Sequence, residues 1–245
     1  MNRIILILAS LAIVAFSIDP AAAQQVTIDF GKQGGGMTER IVQLVALVTV
    51  LSVAPSILIM VTSFVRIVVV LSLLRTAMGT ATAPPNSVII ALAMFLTAFV
   101  MGPVLQKSYD DGIKPLIANQ ITVEDALQRA SVPLRGFMQK NVREKDLKLF
   151  MDLSGEPPPA TPEDMSLRIL VPAFMISELK RAFEIGFLLF LPFLIIDLVV
   201  ASVLMSMGMM MLPPVVVSLP FKLIFFVLVD GWSLVAGSLV QSYGG

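Results

Sequence analysis

Phe193-Leu194-Ile195-Ile196-Asp197-Leu198-Val199-Val200-Ala201-Ser202-Val203-Leu204-Met205-Ser206 is the stretch that decides the fold, with the Met207-Gly208-Met209-Met210-Met211-Leu212-Pro213-Pro214 that follows it. One charge in that first run is too few for a solvated helix face, so the helix is apolar all round and must be buried. A Gly and a Pro-Pro pair then turn the chain, and Val215 to about Val240 runs apolar again. Starting from Phe183, this reads as a hairpin of two apolar helices, turning over residues 209–214. Pro192, Pro220, Gly231 and Gly237 make those helices irregular. An interior Pro costs about 3 kcal/mol unless neighbours satisfy the carbonyl it frees. Broken helices in an apolar chain point to packing against protein.

The turn has a counterpart upstream. Met78-Gly79 and Pro84-Pro85 match Met207-Gly208 and Pro213-Pro214 at a displacement of 129, which Phe64 and Phe193 share. The spacing suggests a parallel duplication, although Gly and Pro recur in turns for conformational reasons alone. The first hairpin would comprise an apolar run from Ile41 to Leu74 and a helix from Ser87 to about Leu105. At 1.5 Å per residue the run is roughly 50 Å long against ~30 Å of hydrocarbon. It must tilt, kink at Pro55, or extend beyond the lipid.

Outside these hairpins the charges concentrate. Of 245 residues 57% are hydrophobic and 14% charged, with 17 basic and 17 acidic side chains. Residues 106–181 carry 22 of those charges, whereas 41–105 and 182–245 together carry only Arg66, Arg75, Glu184, Asp197, Lys222 and Asp230. The expected organisation is a signal peptide (1–23), a Gly-rich lead-in (24–40), the first hairpin (41–105), a polar helical segment (106–181) and the second hairpin (182–245). The fold class is an all-α integral membrane protein, with four Pro-kinked hydrophobic helices in two hairpins around a small helical periplasmic domain.

The address is read from Met1-Asn2-Arg3, an apolar Ile4 to Phe16, a break at Ser17-Ile18-Asp19-Pro20, and Ala21-Ala22-Ala23 before Gln24. That is the order of a cleavable secretory signal, and the apolar run is too short to span. Orientation follows: the polar segment faces outward and both Pro-Pro turns face the cytoplasm. Within the segment, Thr122 and Asp125 resemble a capping box opening a helix that Pro133 ends or restarts. Arg143 to Leu153 forms a helix stopped by Ser154-Gly155. Glu156-Pro157-Pro158-Pro159 is a stiff linker, and Thr161-Pro162-Glu163-Asp164 caps the helix that enters the third apolar segment. Glu178–Arg181 and Lys180–Glu184 read as salt bridges on a surface face.

Several activities are excluded. A net charge of zero without a basic run argues against nucleic acid. With no Cys and no His, thiol nucleophiles, serine–histidine relays, Cys/His zinc sites and haem histidines cannot be built. No phosphate-binding Gly-rich loop is present. No catalytic residue, metal ligand or cofactor is therefore assigned.

Two constellations remain. Arg66, Asp197, Lys222 and Asp230 lie in apolar segments, where an isolated charge costs at least ~3 kcal/mol; ion pairs that fix helix or subunit register are one reading, and a proton relay in a small ion-coupled transporter is the other. The absence of an inverted repeat and of intramembrane His weighs against the transporter. The second constellation is methionine. Five of 15 Met fall within 205–211, and Met209, Met210 and Met211 are consecutive. Met fills irregular core gaps, but three in a row at a hairpin tip point three ways. Repeated around a ring of subunits, these unbranched thioethers would make a soft apolar constriction.

Beyond these residues the chain resembles a known family. Thr62-Ser63-Phe64-Val65-Arg66, Leu74-Arg75, Ala83-Pro84-Pro85-Asn86, Pro172-Ala173-Phe174, Ser177-Glu178-Leu179-Lys180, Phe193 to Ser202, Gly208-Met209-Met210-Met211, Leu219-Pro220-Phe221-Lys222 and Val229-Asp230-Gly231-Trp232 are similar to motifs of the FliP family of type III secretion export-gate subunits. The resemblance implies a non-enzymatic homo-oligomer, a pentamer, assembled with FliR-like and FliQ-like subunits and other flagellar export proteins. It implies hairpins wound into a closed cone, much of it at periplasmic level in the flagellar basal body of the bacterial inner membrane. The loop matching Met209, Met210 and Met211 would form a gasket around a channel for unfolded flagellar proteins. The signal peptide favours the flagellar over the injectisome branch.

Overall fold

A computed structural model describes residues 37–155, 161, 165–209 and 211–244. The signal peptide and most of the lead-in, the 156–159 linker, Pro162 to Asp164 and Met210 lie outside them. Among the described residues the chain is all-helical. It divides after Ser52 into two compact units. In the first, residues from Met37 open helix α1 (Met37–Met60). Hydroxyls in this apolar helix are satisfied locally, Thr49 Oγ1 donating to Val45 O at 2.7 Å and Ser52 Oγ to Thr49 O at 2.8 Å.

In the second unit α1 ends and α2 (Phe64–Ala77) follows. Pro55 sits inside α1, and the helix break in this apolar run falls at 61–63. Thr62 explains it, because its hydroxyl donates to Ile59 O (3.2 Å) and accepts from Phe64 N (3.4 Å), competing with the helical ladder. Helix α3 (Asn86–Ser108) continues through a π-helical turn, Tyr109–Ile113, into α4 (Lys114–Ile117). It does not stop at Leu105. Helix α5 (Val123–Asn141) opens on Thr122, whose Oγ1 accepts from Asp125 N at 3.2 Å, and runs through Pro133 without ending or restarting there. Helix α6 (Glu144–Ser154) stops at Gly155, whose φ is +65°.

Helix α7 (Leu167–Ser206) is 40 residues long and contains both Pro172 and Pro192. Its cap is Ser166, whose hydroxyl accepts from Arg168 N at 3.3 Å. Helices α8 (Pro214–Leu228) and α9 (Gly231–Gly244) meet at 63°, so the last apolar run breaks at Val229-Asp230 and not at Pro220. Gly231 permits that bend, since a Cβ there would lie 2.2 Å from the Phe226 ring. Among the described residues, two helical stretches are long and apolar enough to cross a membrane, Asn86–Ile117 and Leu167–Ser206, and the bent α8–α9 pair makes a third if it counts as one span. Both composition boundaries of the polar segment thus fall inside continuous helices.

Helix α2 is the axis of the core. Ile67, Val70, Leu71, Leu74 and Ala77 recur at helical spacing and are all buried, against Ile89 and Ala93 of α3, Phe193 of α7, Phe226 of α8 and Leu239 of α9. A smaller cluster gathers Met138, Ile169, Leu170 and Phe174. The π turn docks tightly on α5: a Cβ on Gly112 would lie 2.6 Å from Ala126 O and 2.9 Å from Ala130 N. Those are backbone atoms that cannot swing aside. Gly112→Ala is expected to cost about 1–3 kcal/mol as overpacking, read as a lowered unfolding temperature in detergent. An unchanged temperature would show that the turn is not seated there.

Candidate functional site

The methionine turn is shaped by backbone hydrogen bonds. Helix α7 ends with Gly208 at φ +74°, Met209 N donating to Leu204 O (3.0 Å) and Gly208 N to Met205 O (3.1 Å). This paired closure satisfies the last carbonyls and needs a residue that tolerates the left-handed region. Gly79 does the same after α2, at φ +76°, with its N–H on Thr76 O (3.0 Å). There the Thr80 hydroxyl reaches Arg75 O at 3.3 Å. The two turns therefore share their closing glycine at the 129-residue displacement read from the sequence. Arg75 braces the first, donating to Asn86 Oδ1 at 2.6 Å and Pro84 O at 3.2 Å. In the second, Met209 is 41% exposed and Met211 99%, while Met210 lies outside the described residues.

The charges in the apolar segments do not share one site. Lys222 Nζ donates to Asp197 Oδ2 at 2.6 Å and to Ala77 O at 3.3 Å. Ser218 Oγ donates to Asp197 Oδ1 at 2.5 Å. One ammonium thus holds α7, α8 and the C-terminal end of α2, where a cation also suits the helix dipole. Arg66 is elsewhere, paired with Glu178, and both side chains are wholly buried. Tyr243 donates its hydroxyl to the other Glu178 oxygen. The Arg66 guanidinium lies 3.9 Å over the Tyr243 ring and donates to Ser242 Oγ at 3.0 Å. Asp230, at φ +49° in the α8–α9 bend, is exposed and joins neither pair.

Glu178 corrects the surface reading of its neighbourhood. Lys180–Glu184 is the exposed salt bridge expected, at 3.2 Å, but Glu178 turns inward. A signal was present: Glu178 lies four residues after Phe174 and four before Ala182, both fully buried, so it shares their helix face. Its neighbour Ser177 looks to α6, donating to Asp146 Oδ2 at 2.6 Å and accepting from Arg143 N at 3.0 Å. Arg143 also grips Asp146 with two nitrogens, at 2.8 and 2.9 Å. Adjacent residues of α7 therefore anchor two different helices.

Burial pushes the Asp146 carboxyl pKa up, but hydrogen bonds from Arg143 and Ser177, with the Arg143 and Lys145 charges, outweigh it and hold it below the ordinary range. The sign follows. A carboxylate depressed in the folded state adds stability above its unfolded pKa of ~3.9 and loses it as pH falls through the lower folded value. Asp146→Asn is expected to flatten the acid limb of unfolding temperature against pH below about 4. An acid limb identical to that of the parent would contradict this.

Helices long enough to span, with buried ion pairs and no strand among the described residues, define the chain as a helical membrane-embedded protein. It belongs to the FliP family, whose profile matches residues 47–239. It is similar to proteins named flagellar biosynthetic protein FliP. One from Caulobacter vibrioides is 64% identical over 97% of this chain and 90% of that protein. One from Agrobacterium fabrum is 53% identical over 91% and 93%, respectively. A relative from Bacillus subtilis is 55% identical over 82% of this chain and 91% of its own.

Proposed function

We propose that this chain is a core, non-enzymatic subunit of the flagellar type III export gate in the bacterial inner membrane. Copies of it assemble as a pentamer with FliR-like and FliQ-like subunits around a channel for unfolded flagellar proteins. Its four hydrophobic helices form two hairpins flanking a polar segment on the periplasmic side. Met209, Met210 and Met211 of neighbouring copies close the channel as a gasket. Arg66 with Glu178, and Lys222 with Asp197, hold the hairpins in register.

The observation that carries this reading is the methionine turn. Met211 is 99% exposed, at a tip whose backbone is closed by its own hydrogen bonds, so its side chain fills no gap in this chain. Large apolar residues exposed on the spans, Phe95 at 76% and Leu228 at 79%, likewise need lipid or neighbouring subunits to cover them. The carrier reading lacks such support, because Arg66 is wholly buried against Glu178, apart from the Lys222–Asp197 pair and from Asp230 at the exposed α8–α9 bend, so its charges do not form one relay.

The chain contains no Cys, which supplies a direct test. With Met211→Cys in cells exporting a flagellar protein that bears one cysteine and a stalling domain, oxidation is expected to join the two chains. Cysteine placed at Phe95, on the flank of α3, should give no such product. Cross-linking at Phe95 but not at Met211 would sink the channel assignment.

A further inference from the structure

We infer that the methionine run at 205–211 is a site of reversible sulfoxidation, through which hydrogen peroxide loosens the seal. The effect on the seal rests on the gasket reading above; the preference of the oxidant for these sulfurs does not. The chain has 15 Met and no Cys, so no thiol intercepts an oxidant and thioethers are its only oxidisable sulfur. Met78, Met101, Met138 and Met165 are buried in the core. The run is the opposite. Met205 is 61% exposed and Met207 66%, and they join Met209 and Met211 in the open. Four exposed thioethers thus lie within seven residues.

Burial also decides what oxidation does. A sulfoxide turns a flexible apolar side chain into a polar one. At Met101 or Met138 that would place an S=O dipole in the core without a partner and destabilise the fold. At 205–211 the turn is closed by backbone bonds, Gly208 N to Met205 O and Met209 N to Leu204 O, and neither involves sulfur. The run can therefore change polarity while its backbone keeps its shape, which separates a switch from a lesion. A thioether seal still presents a wet face to the oxidant. An apolar constriction excludes ions by staying dry, so each added oxygen weakens it.

The step balances. The sulfur lone pair attacks one peroxide oxygen, and the S–O bond forms as the O–O bond breaks. The departing hydroxide takes the proton from the new S–OH group and leaves as water, sulfur having given up two electrons. Reversal needs a dithiol. The oxygen leaves as water, two electrons and two protons come from the thiols, and a disulfide forms.

The test uses the full chain in the assembled gate, in vesicles under graded hydrogen peroxide. Mass spectrometry should show residues 205–211 gaining oxygen at least about tenfold faster than Met78, Met101, Met138 and Met165, which react only when the fold opens. Ion leakage should rise about tenfold as the run oxidises. It should fall back when sulfoxide reductases for both epimers are added with a dithiol. With Met205, Met207, Met209, Met210 and Met211 all replaced by Leu, apolar and without sulfur, leakage should not respond to peroxide. The two readings fail separately. A gate with Ala at 209–211 that stays tight removes the gasket and the switch with it. An Ala gate that leaks, beside an oxidised parent gate that does not, overturns the switch alone. Core methionines oxidised first, a peroxide leak shared by the Leu variant, or a leak the reductases fail to reverse would each overturn it as well.

Discussion

Arg66→Met is expected to lower stability by about 3–5 kcal/mol, because it strands Glu178 as a charge without its cation in a wholly buried site. Against a total of 5–15 kcal/mol that is enough to deplete the folded protein, read as unfolding temperature in detergent and abundance in the membrane. Glu178→Leu should do equal harm by stranding Arg66. The double variant separates this account from general intolerance at the position. With both charges gone and apolar side chains of similar volume in place, most of the lost stability should return. Tyr243→Phe should cost less, about 1–3 kcal/mol, since it removes one donor to Glu178 and keeps the ring beneath Arg66. A double variant as damaged as either single one would show that the pair does not act as a pair.

The second large effect is expected at the methionine turn. In the assembled gate, replacing Met209, Met210 and Met211 together by Ala should raise ion leakage roughly a hundredfold. A sealed apolar constriction opposes an ion by at least ~3 kcal/mol, and each 1.36 kcal/mol is a factor of ten. Assembly and stability should change little, because Met209 and Met211 are exposed in the chain. Replacement by Leu is a useful partner experiment: it keeps the bulk and stiffens the side chain, so it should seal but pass substrate less readily. A triple-Ala gate that assembles and remains tight would remove the gasket role.

Much of the fold was legible because its signals are local. Thr122, Gly155, Gly79 and Gly208 each cap or close a helix through atoms a few residues away, so spacing alone exposes them. The helix breaks were less legible. Proline suggested Pro55, Pro133 and Pro220, but each lies inside a continuous helix. Gly231, also read as a source of irregularity, does sit at a break, through its tight contact with Phe226, whereas Thr62 marks the other through a side-chain hydrogen bond. Least legible was charge pairing. Lys222 and Asp197 are 25 residues apart and could be guessed, since both interrupt apolar runs. Arg66 and Glu178 are 112 apart, and the charges around Glu178 disguised it as a surface residue. Its inward helix face, shared with Phe174 and Ala182, was the better guide.

The continuity of α7 also fixes a phase. Glu178 and Asp197 ride on one unbroken helix and grip different partners, Arg66 on α2 and Lys222 on α8. At 1.5 Å and 100° per residue their separation is about 28 Å of travel and, beyond whole turns, about 100° of rotation. The angle between the two grips is therefore written in residue count. A residue added between them would swing one grip by about 100° relative to the other, with every side chain still the right kind. Like two cams on one shaft, the grips work only while their timing is kept.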